Sequence, residues 1–243
     1  MFRGNASRAA LAALLIFSVP WGAIASDLAI APIRVNFAGE QNTFVVRLTN
    51  GGTGITPVQV ETRHWAQTPT GEDVYEATDD LIAVPPIFRL PPGETQLVRV
   101  GFMGAPAPDR ELTYRLFFTE LSPPPAGEGG NAQVHMRLRI SIPVFVQPTV
   151  LAKPRLEFVD VAQRTDGYDV RLHNPGNTHV QVERLMAMAG LGEDMRFGRA
   201  SGYLLPGVTR QFSIDVPAST PIRLIRAETD IAGVADHDMA TLR

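Results

Sequence analysis

The chain carries 243 residues, 44% of them hydrophobic and 19% charged, with a formal net charge of −3 and no cysteine. That length supports one large or two ordinary domains with real cores. The charge balance lacks the basic patch that nucleic-acid binding needs, and the missing thiols exclude disulfide staples, thiolate chemistry and cysteine metal sites.

In chain order, the first element reads as a targeting signal. Arg3 and Arg8 form a basic start, Ala9–Phe17 is wholly apolar, and Ala23-Ile24-Ala25 gives a small-residue cleavage pattern. Pro20 and the short apolar run argue against a spanning helix, which needs roughly 20 apolar residues. The expected mature chain therefore starts at Ser26 or Asp27, after a signal over residues 1–25.

From there on, short β-branched runs alternate with Pro, Gly and Asn breaks, an all-β pattern. Leu28–Phe37 reads as one strand, with Pro32 favouring an edge position. Thr43–Thr49 ends at Asn50-Gly51-Gly52, Thr56–His64 alternates through Val58 and Val60, and Leu81–Val84 and Ile87–Leu90 flank Pro85-Pro86. Pro91-Pro92-Gly93 then turns into Thr95–Phe102, and Leu112–Leu121 is a long, partly continuous apolar strand. A second series begins at Arg155 and includes Tyr168–His173, Thr178–Leu185, Gly202–Leu205, Thr209–Val216 and a last strand at Ile222–Ala227. No stretch sustains a helical period, and the spacing shows no internal repeat. Two β-sandwich domains, over 26–147 and 148–243, account for the series most simply.

The most informative segment is Gln133–Gln147, preceded by the Pro/Gly-rich loop SPPPAGEGGNA. Val134, Met136, Leu138, Ile140 and Ile142 alternate with His135, Arg137, Arg139 and Ser141. A strand sends successive side chains to opposite faces, so one face is aliphatic and the other polar or basic. Alternation alone fits a strand covering its own core as well as one that offers an apolar row to another chain.

The residues resemble the periplasmic pilus (fimbrial) assembly chaperones of the chaperone–usher pathway. The resemblance rests on APIRV at Ala31–Val35, PPIFRLPPGETQLVRV at Pro85–Val100, YRLFFTEL at Tyr114–Leu121 and RLRISIPVFVQP at Arg137–Pro148. HNPGNTHV at His173–Val180 and LLPGVTRQF at Leu204–Phe212 extend it into the second half. SIPVFV and the Tyr114-Arg115 pair are closer to the archaic, spore-coat-U-type branch. The resemblance implies two immunoglobulin-like domains in a boomerang, periplasmic location, and pilus subunits and an outer-membrane usher as partners. It also implies donor-strand complementation, in which a chaperone strand fills the groove of an unfinished subunit sandwich. Val134, Met136, Leu138 and Ile140 match the groove-filling row, with Ile142 at its end.

The family also holds the subunit's C-terminal carboxylate in a basic cleft. Arg34 matches one half of that anchor; the position of the second, usually a lysine, is Pro143, which has no charge. Arg115 is the preferred substitute and Arg139 the reserve.

No motif supports catalysis, a cofactor or a metal. Asp236-His237-Asp238 alternate in direction on a terminal tail, His64 and His135 stand far from any nucleophile pattern, and Asp109-Arg110-Glu111 reads as orienting the next strand. The competing reading is a secreted sandwich for adhesion or carbohydrate binding, which wants exposed aromatics; outside the signal the chain has only Trp65 and few tyrosines.

Overall fold

The computed structural model describes residues 27–121, 137–188, 196–216, 222–230 and 234–238. The expected targeting signal, the SPPPAGEGGNA loop, Val134 and Met136 lie outside the described residues, among which every regular element is a strand. The first half holds β1 (Leu28–Ala31), β2 (Val35–Phe37), β3 (Thr43–Asn50), β4 (Thr56–Gln67), β5 (Asp73–Glu76), β6 (Leu81–Val84), β7 (Ile87–Leu90), β8 (Thr95–Phe102), β9 (Leu112–Glu120) and β10 (Arg139–Val146). The second holds β11 (Glu157–Arg164), β12 (Gly167–His173), β13 (Val180–Met188), β14 (Arg196–Leu204), β15 (Thr209–Asp215), β16 (Leu224–Thr229) and β17 (Val234–Asp238).

Alternation decides the packing. On β3, Val46 and Leu48 point inward while Val45 and Arg47 point out, and β8 repeats this with Val98 and Val100 against Leu97 and Arg99. The first half forms two sheets, ordered β1-β3-β8-β6 and β2-β10-β9-β4-β5, with β7 also paired to β4. Val35, Phe37, Leu48, Val58, Val98, Leu116, Phe118 and Val144 fill the core between them. The second half stacks β11-β12-β15 on β14-β13-β16-β17 around Val170, Leu172, Leu185, Phe212, Ile214 and Ile225. Each half is an immunoglobulin-like β-sandwich.

Three expectations need correction. Leu28–Phe37 is not one strand: a cis Ala31-Pro32 bond and a bend at Ile33 send Leu28–Ala31 to one sheet and Val35–Phe37 to the other. The chain does not end its sheet at Ala227, because Val234–Asp238 pairs with Leu224–Glu228, so Asp236-His237-Asp238 sit in a ladder and not on a loose tail. The third correction is a repeat that the spacing hides. Buried Asn50 donates from Nδ2 to the carbonyls of Gly54 (2.8 Å) and Leu90 (2.9 Å) and accepts from the Gly52 amide at 2.9 Å. Asn174 does the same to Thr178 (2.8 Å), Leu204 (3.0 Å) and Gly176 (2.9 Å). Each asparagine also lies against a Pro-Gly turn whose glycine, Gly93 or Gly207, has φ near +75° (74° and 78°) and donates to the asparagine carbonyl. Gly93 follows Asn50 by 43 residues and Gly207 follows Asn174 by 33, so no constant period exists to be found.

These asparagines tie the turns at one end of each sandwich. Replacing Asn174 with alanine strips two buried carbonyls of their partner, and replacing Asn50 strips the buried Leu90 carbonyl and the exposed Gly54 carbonyl; a buried group left unsatisfied costs about 1–3 kcal/mol. Asn50→Ala and Asn174→Ala are each expected to lower stability by about 2–4 kcal/mol, measured by urea unfolding.

The two sandwiches meet through Trp65 and Phe145 from the first and Leu205, Val208 and Tyr203 from the second. Gln67 bridges them, donating to the Tyr203 carbonyl and accepting from the Leu205 amide, both at 3.0 Å. The β4–β5 turn also presses on the second half: a Cβ at Gly71 (φ +86°) would stand 2.6 Å from Arg210 Cβ.

Candidate functional site

β10 is paired on one side along its whole length but on the other along only part of it. It runs antiparallel to β9 from Arg139↔Thr119 to Val146↔Leu112, whereas its parallel pairing with β2 covers only Val144–Val146. Among the described residues, the half from Arg139 to Pro143 therefore has no partner strand on that side, which leaves an open edge. The Glu120 amide donates to the Leu138 carbonyl at 2.9 Å, and the Gln147 amide to the Phe37 carbonyl at 2.9 Å. Backbone polar groups alternate sides along a strand, so even-numbered residues bond to β9 and odd-numbered ones face β2 or the open edge. Arg139 and Ser141 thus present free ladder groups. Pro143 is tolerated mid-strand because its missing N–H would point to the open side and not to β9.

The side chains complete the arrangement. Ile142 is 2% exposed and belongs to the domain's own core, as do Val144 and Val146. Ile140 is half-buried at the margin of that core, and Leu138, one pleat further out, is half-buried as well. The row leaves its own sandwich gradually, passing from sealed to accessible beside an unpaired edge. An edge of this kind invites pairing with another chain.

The arginines separate cleanly. Arg139 is held away from the domain interface, 3.6 Å from Glu61 and over the Phe117 ring at 4.1 Å. Arg115 enters the interface: its guanidinium lies 3.8 Å above Trp65 and 5.4 Å from the Tyr203 ring, in the corner made by those two perpendicular rings (5.5 Å apart, 88°). Its Nη1 reaches Ser141 Oγ at 3.4 Å, its Nε is buried without a partner, and no described carboxylate lies within ion-pair distance. Burial pulls the Arg115 pKa below the usual arginine value, against the pull of Tyr75, Asp73 and Tyr203. A half-buried cation with no counter-ion among the described residues costs some stability, and such groups collect at binding sites.

Arg34, on the bend between β1 and β2, stands across the same interface. It donates from Nη1 to Asp230 at 2.6 Å, and about a third of its side chain (33%) stays exposed. Burial opposes its charge, but the bond to Asp230 and the fields of Tyr203, Asp230 and Glu183 outweigh that and raise its pKa. Burial raises the pKa of the Tyr203 phenol, while Arg34 and then Arg115 pull it back down. Arg34 and Arg115 thus both border Tyr203 at the domain interface.

Residues 27–152 match the family model of pili and flagellar-assembly chaperones, PapD N-terminal domain. The chain belongs to this family. The chaperone is 26% identical over 205 residues (81% of this chain, 80% of the relative) to chaperone protein FimB/FhaD of Bordetella pertussis. Its fold matches a chain of the CsuC–CsuE chaperone–tip adhesion subunit pre-assembly complex, from archaic chaperone–usher Csu pili of Acinetobacter baumannii. That match has a TM-score of 0.64 at 23% identity over 87% of this chain and 98% of that one. It also matches a chain of the Salmonella enterica SafA pilin–SafB chaperone complex, with a TM-score of 0.62 at 15% identity over 90% and 99%.

Within the chaperone, Arg34 and Arg115 are brought to the domain interface, Leu138 and Ile140 lie on the other, core-facing side of β10 toward its open end, and Arg139 is not brought into the cleft. Trp65 is buried under Arg115 and offers no exposed ring for stacking on a sugar. Trp65, Tyr203, Glu111, His179 and Asp230 are cleft residues that sequence reasoning missed. For Glu111 and His179 the only signal is that DRE and NTH each place a charged or titratable residue next to a strand start.

Proposed function

We propose that this protein is a periplasmic chaperone that completes the sheet of an unfinished pilus subunit with the open half of β10 and passes the subunit to an outer-membrane usher. The observation that carries the reading is the unpaired edge at Arg139–Pro143 beside an aliphatic row that grows accessible from Ile142 to Leu138. An incoming strand bonds to the odd-numbered backbone groups, while Leu138 and Ile140, continued by Val134 and Met136, enter the subunit's groove. Each aliphatic side chain fully buried contributes roughly 1.5–3 kcal/mol, so four set an upper bound of about 6–12 kcal/mol before association costs. Arg34 and Arg115 take the subunit's C-terminal carboxylate, which sets the register. Arg115, short of a counter-ion, fits the role that Pro143 cannot fill. Polar readout by paired guanidinium groups adds specificity to a row that would accept many apolar grooves.

Hydrogen exchange on the complex with a pilus subunit tests the edge. The amides of Arg139 and Ser141 are expected to exchange freely in the isolated chaperone and to become strongly protected when the subunit binds. Protection confined to another edge, such as β5, would remove β10 from the role.

A further inference from the structure

The interface holds a chain of four charged or titratable side chains drawn alternately from the two domains: Glu111, His179, Arg34 and Asp230. Glu111 precedes β9 and belongs to the first sandwich; its Oε2 accepts from the His179 amide at 2.9 Å and lies 2.8 Å from His179 Nδ1. His179, just before β13 in the second sandwich, is almost fully buried and lies flat on Phe145 of β10, with ring centroids 3.6 Å apart at 7°. Its Nε2 is 3.5 Å from Arg34 Nη1, and that same Nη1 donates to Asp230 at 2.6 Å. Asp230 is itself fixed, accepting from the Gln181 amide at 3.0 Å through its other oxygen.

We propose that His179 is the positioning residue of the carboxylate anchor: as the Nδ1–H tautomer it turns a lone pair toward Arg34 and holds the guanidinium in place across the domain interface. This rests on the reading of Arg34 as the anchor. Glu111 Oε2 already accepts the His179 amide, so the proton between that oxygen and Nδ1 belongs to Nδ1. A neutral imidazole then keeps its acceptor on Nε2. The 2.8 Å contact of Nδ1 with Glu111 decides which nitrogen faces Arg34, and stacking on Phe145 holds the plane of the ring. Arg34 Nη1 is thereby engaged on the side of the second domain by Asp230 and His179, and the rest of the fork is left for a carboxylate from outside. The tautomer carries the effect, because a donor at Nε2 would face the donors of Arg34. The titratable and charged groups around the ring are Glu111 on the first sandwich, Arg34 on its bend, Asp230 after β16, and Tyr203 of β14, whose ring centroid is 5.7 Å away.

The test uses acetate as the probe, with neutral acetamide as its control, and follows the Arg34 Nε–H signal of the whole protein by NMR. Wild type is expected to bind acetate and not acetamide. His179→Asn keeps a donor near the Nδ1 position and loses the Nε2 acceptor; its acetate affinity is expected to fall about five-fold, the worth of one ordinary hydrogen bond. His179→Gln places an acceptor near the Nε2 position and is expected to stay within about two-fold of wild type. A long-range proton–nitrogen spectrum of wild type should show Nδ1 protonated and Nε2 bare, and this result stands even if a variant does not fold. A protonated Nε2, or a folded His179→Asn variant that binds acetate like wild type, overturns the role of His179 alone. Wild type that ignores acetate overturns the anchor itself, and the role of His179 with it.

Discussion

Leu138→Asp is expected to leave the chaperone folded and to end its capture of a pilus subunit. Leu138 lies beyond the sealed part of β10 and is only half-buried, so in the isolated chaperone an aspartate there stays near water. If β10 completes the subunit's sheet as proposed, the same carboxylate would enter an apolar groove in the complex. The variant loses about 1.5–3 kcal/mol of side-chain burial and adds the several kcal/mol needed to desolvate an unpaired charge. Affinity should therefore fall by more than about 1000-fold, or about 4 kcal/mol. Ile142→Asp provides the contrast, because Ile142 is 2% exposed and sits in the first domain's own core. That variant should fail to fold. Calorimetric melting paired with subunit co-purification separates the two cases, and a Leu138→Asp chaperone that still keeps a subunit soluble would end the strand-donor reading.

Arg115→Met is expected to act with opposite signs on stability and on binding. Methionine keeps an unbranched side chain of similar reach over Trp65 but removes a buried cation whose Nε has no partner. Replacing buried charges with apolar groups of similar volume is often neutral or stabilising, by up to about 1–4 kcal/mol, less the cation–π contribution of about 0.5–2 kcal/mol. Urea unfolding should therefore find the variant as stable as wild type or slightly more so. Subunit affinity should drop by at least about ten-fold, since a charge-assisted bond to a carboxylate contributes roughly 1.5–3 kcal/mol. A structural arginine would behave differently, with stability falling while affinity held. Arg139→Met serves as the control: Arg139 is paired to Glu61 away from the interface, and its loss should change affinity far less.

Strands write their pattern locally, and that much was legible in the residues. Breaks at Pro85-Pro86 and Pro91-Pro92-Gly93 located β6, β7 and β8 to the residue, and period-two alternation located the aliphatic face of β10, because neighbours on one strand are fixed to opposite faces whatever surrounds them. The same rule misled at Leu28–Phe37, where the apolar pattern continues across the cis Ala31-Pro32 bond although the backbone changes sheets. It missed β17 because that strand exists through its pairing with β16 and carries no pattern of its own. Paired asparagine turns escaped for a related reason: each is closed by a Pro-Gly turn at a different sequence distance.

Residue type and order over a few positions are enough to make this chain all-β and to give β10 an aliphatic face. Where that aliphatic row stops covering its own core is a property of the folded domain, since it depends on β2 beginning its pairing with β10 only at Val144. The arginine that shares the cleft with Arg34 is likewise selected by folding. Trp65, the Glu111–Arg115 stretch, His179, Tyr203 and Asp230 lie far apart along the chain; pairing of β4 with β9 sets Arg115 beside Trp65, and the meeting of the two sandwiches adds His179, Tyr203 and Asp230. On the proposed reading, Arg115 serves recognition because that packing takes away part of its water and sets no described carboxylate within ion-pair distance of it.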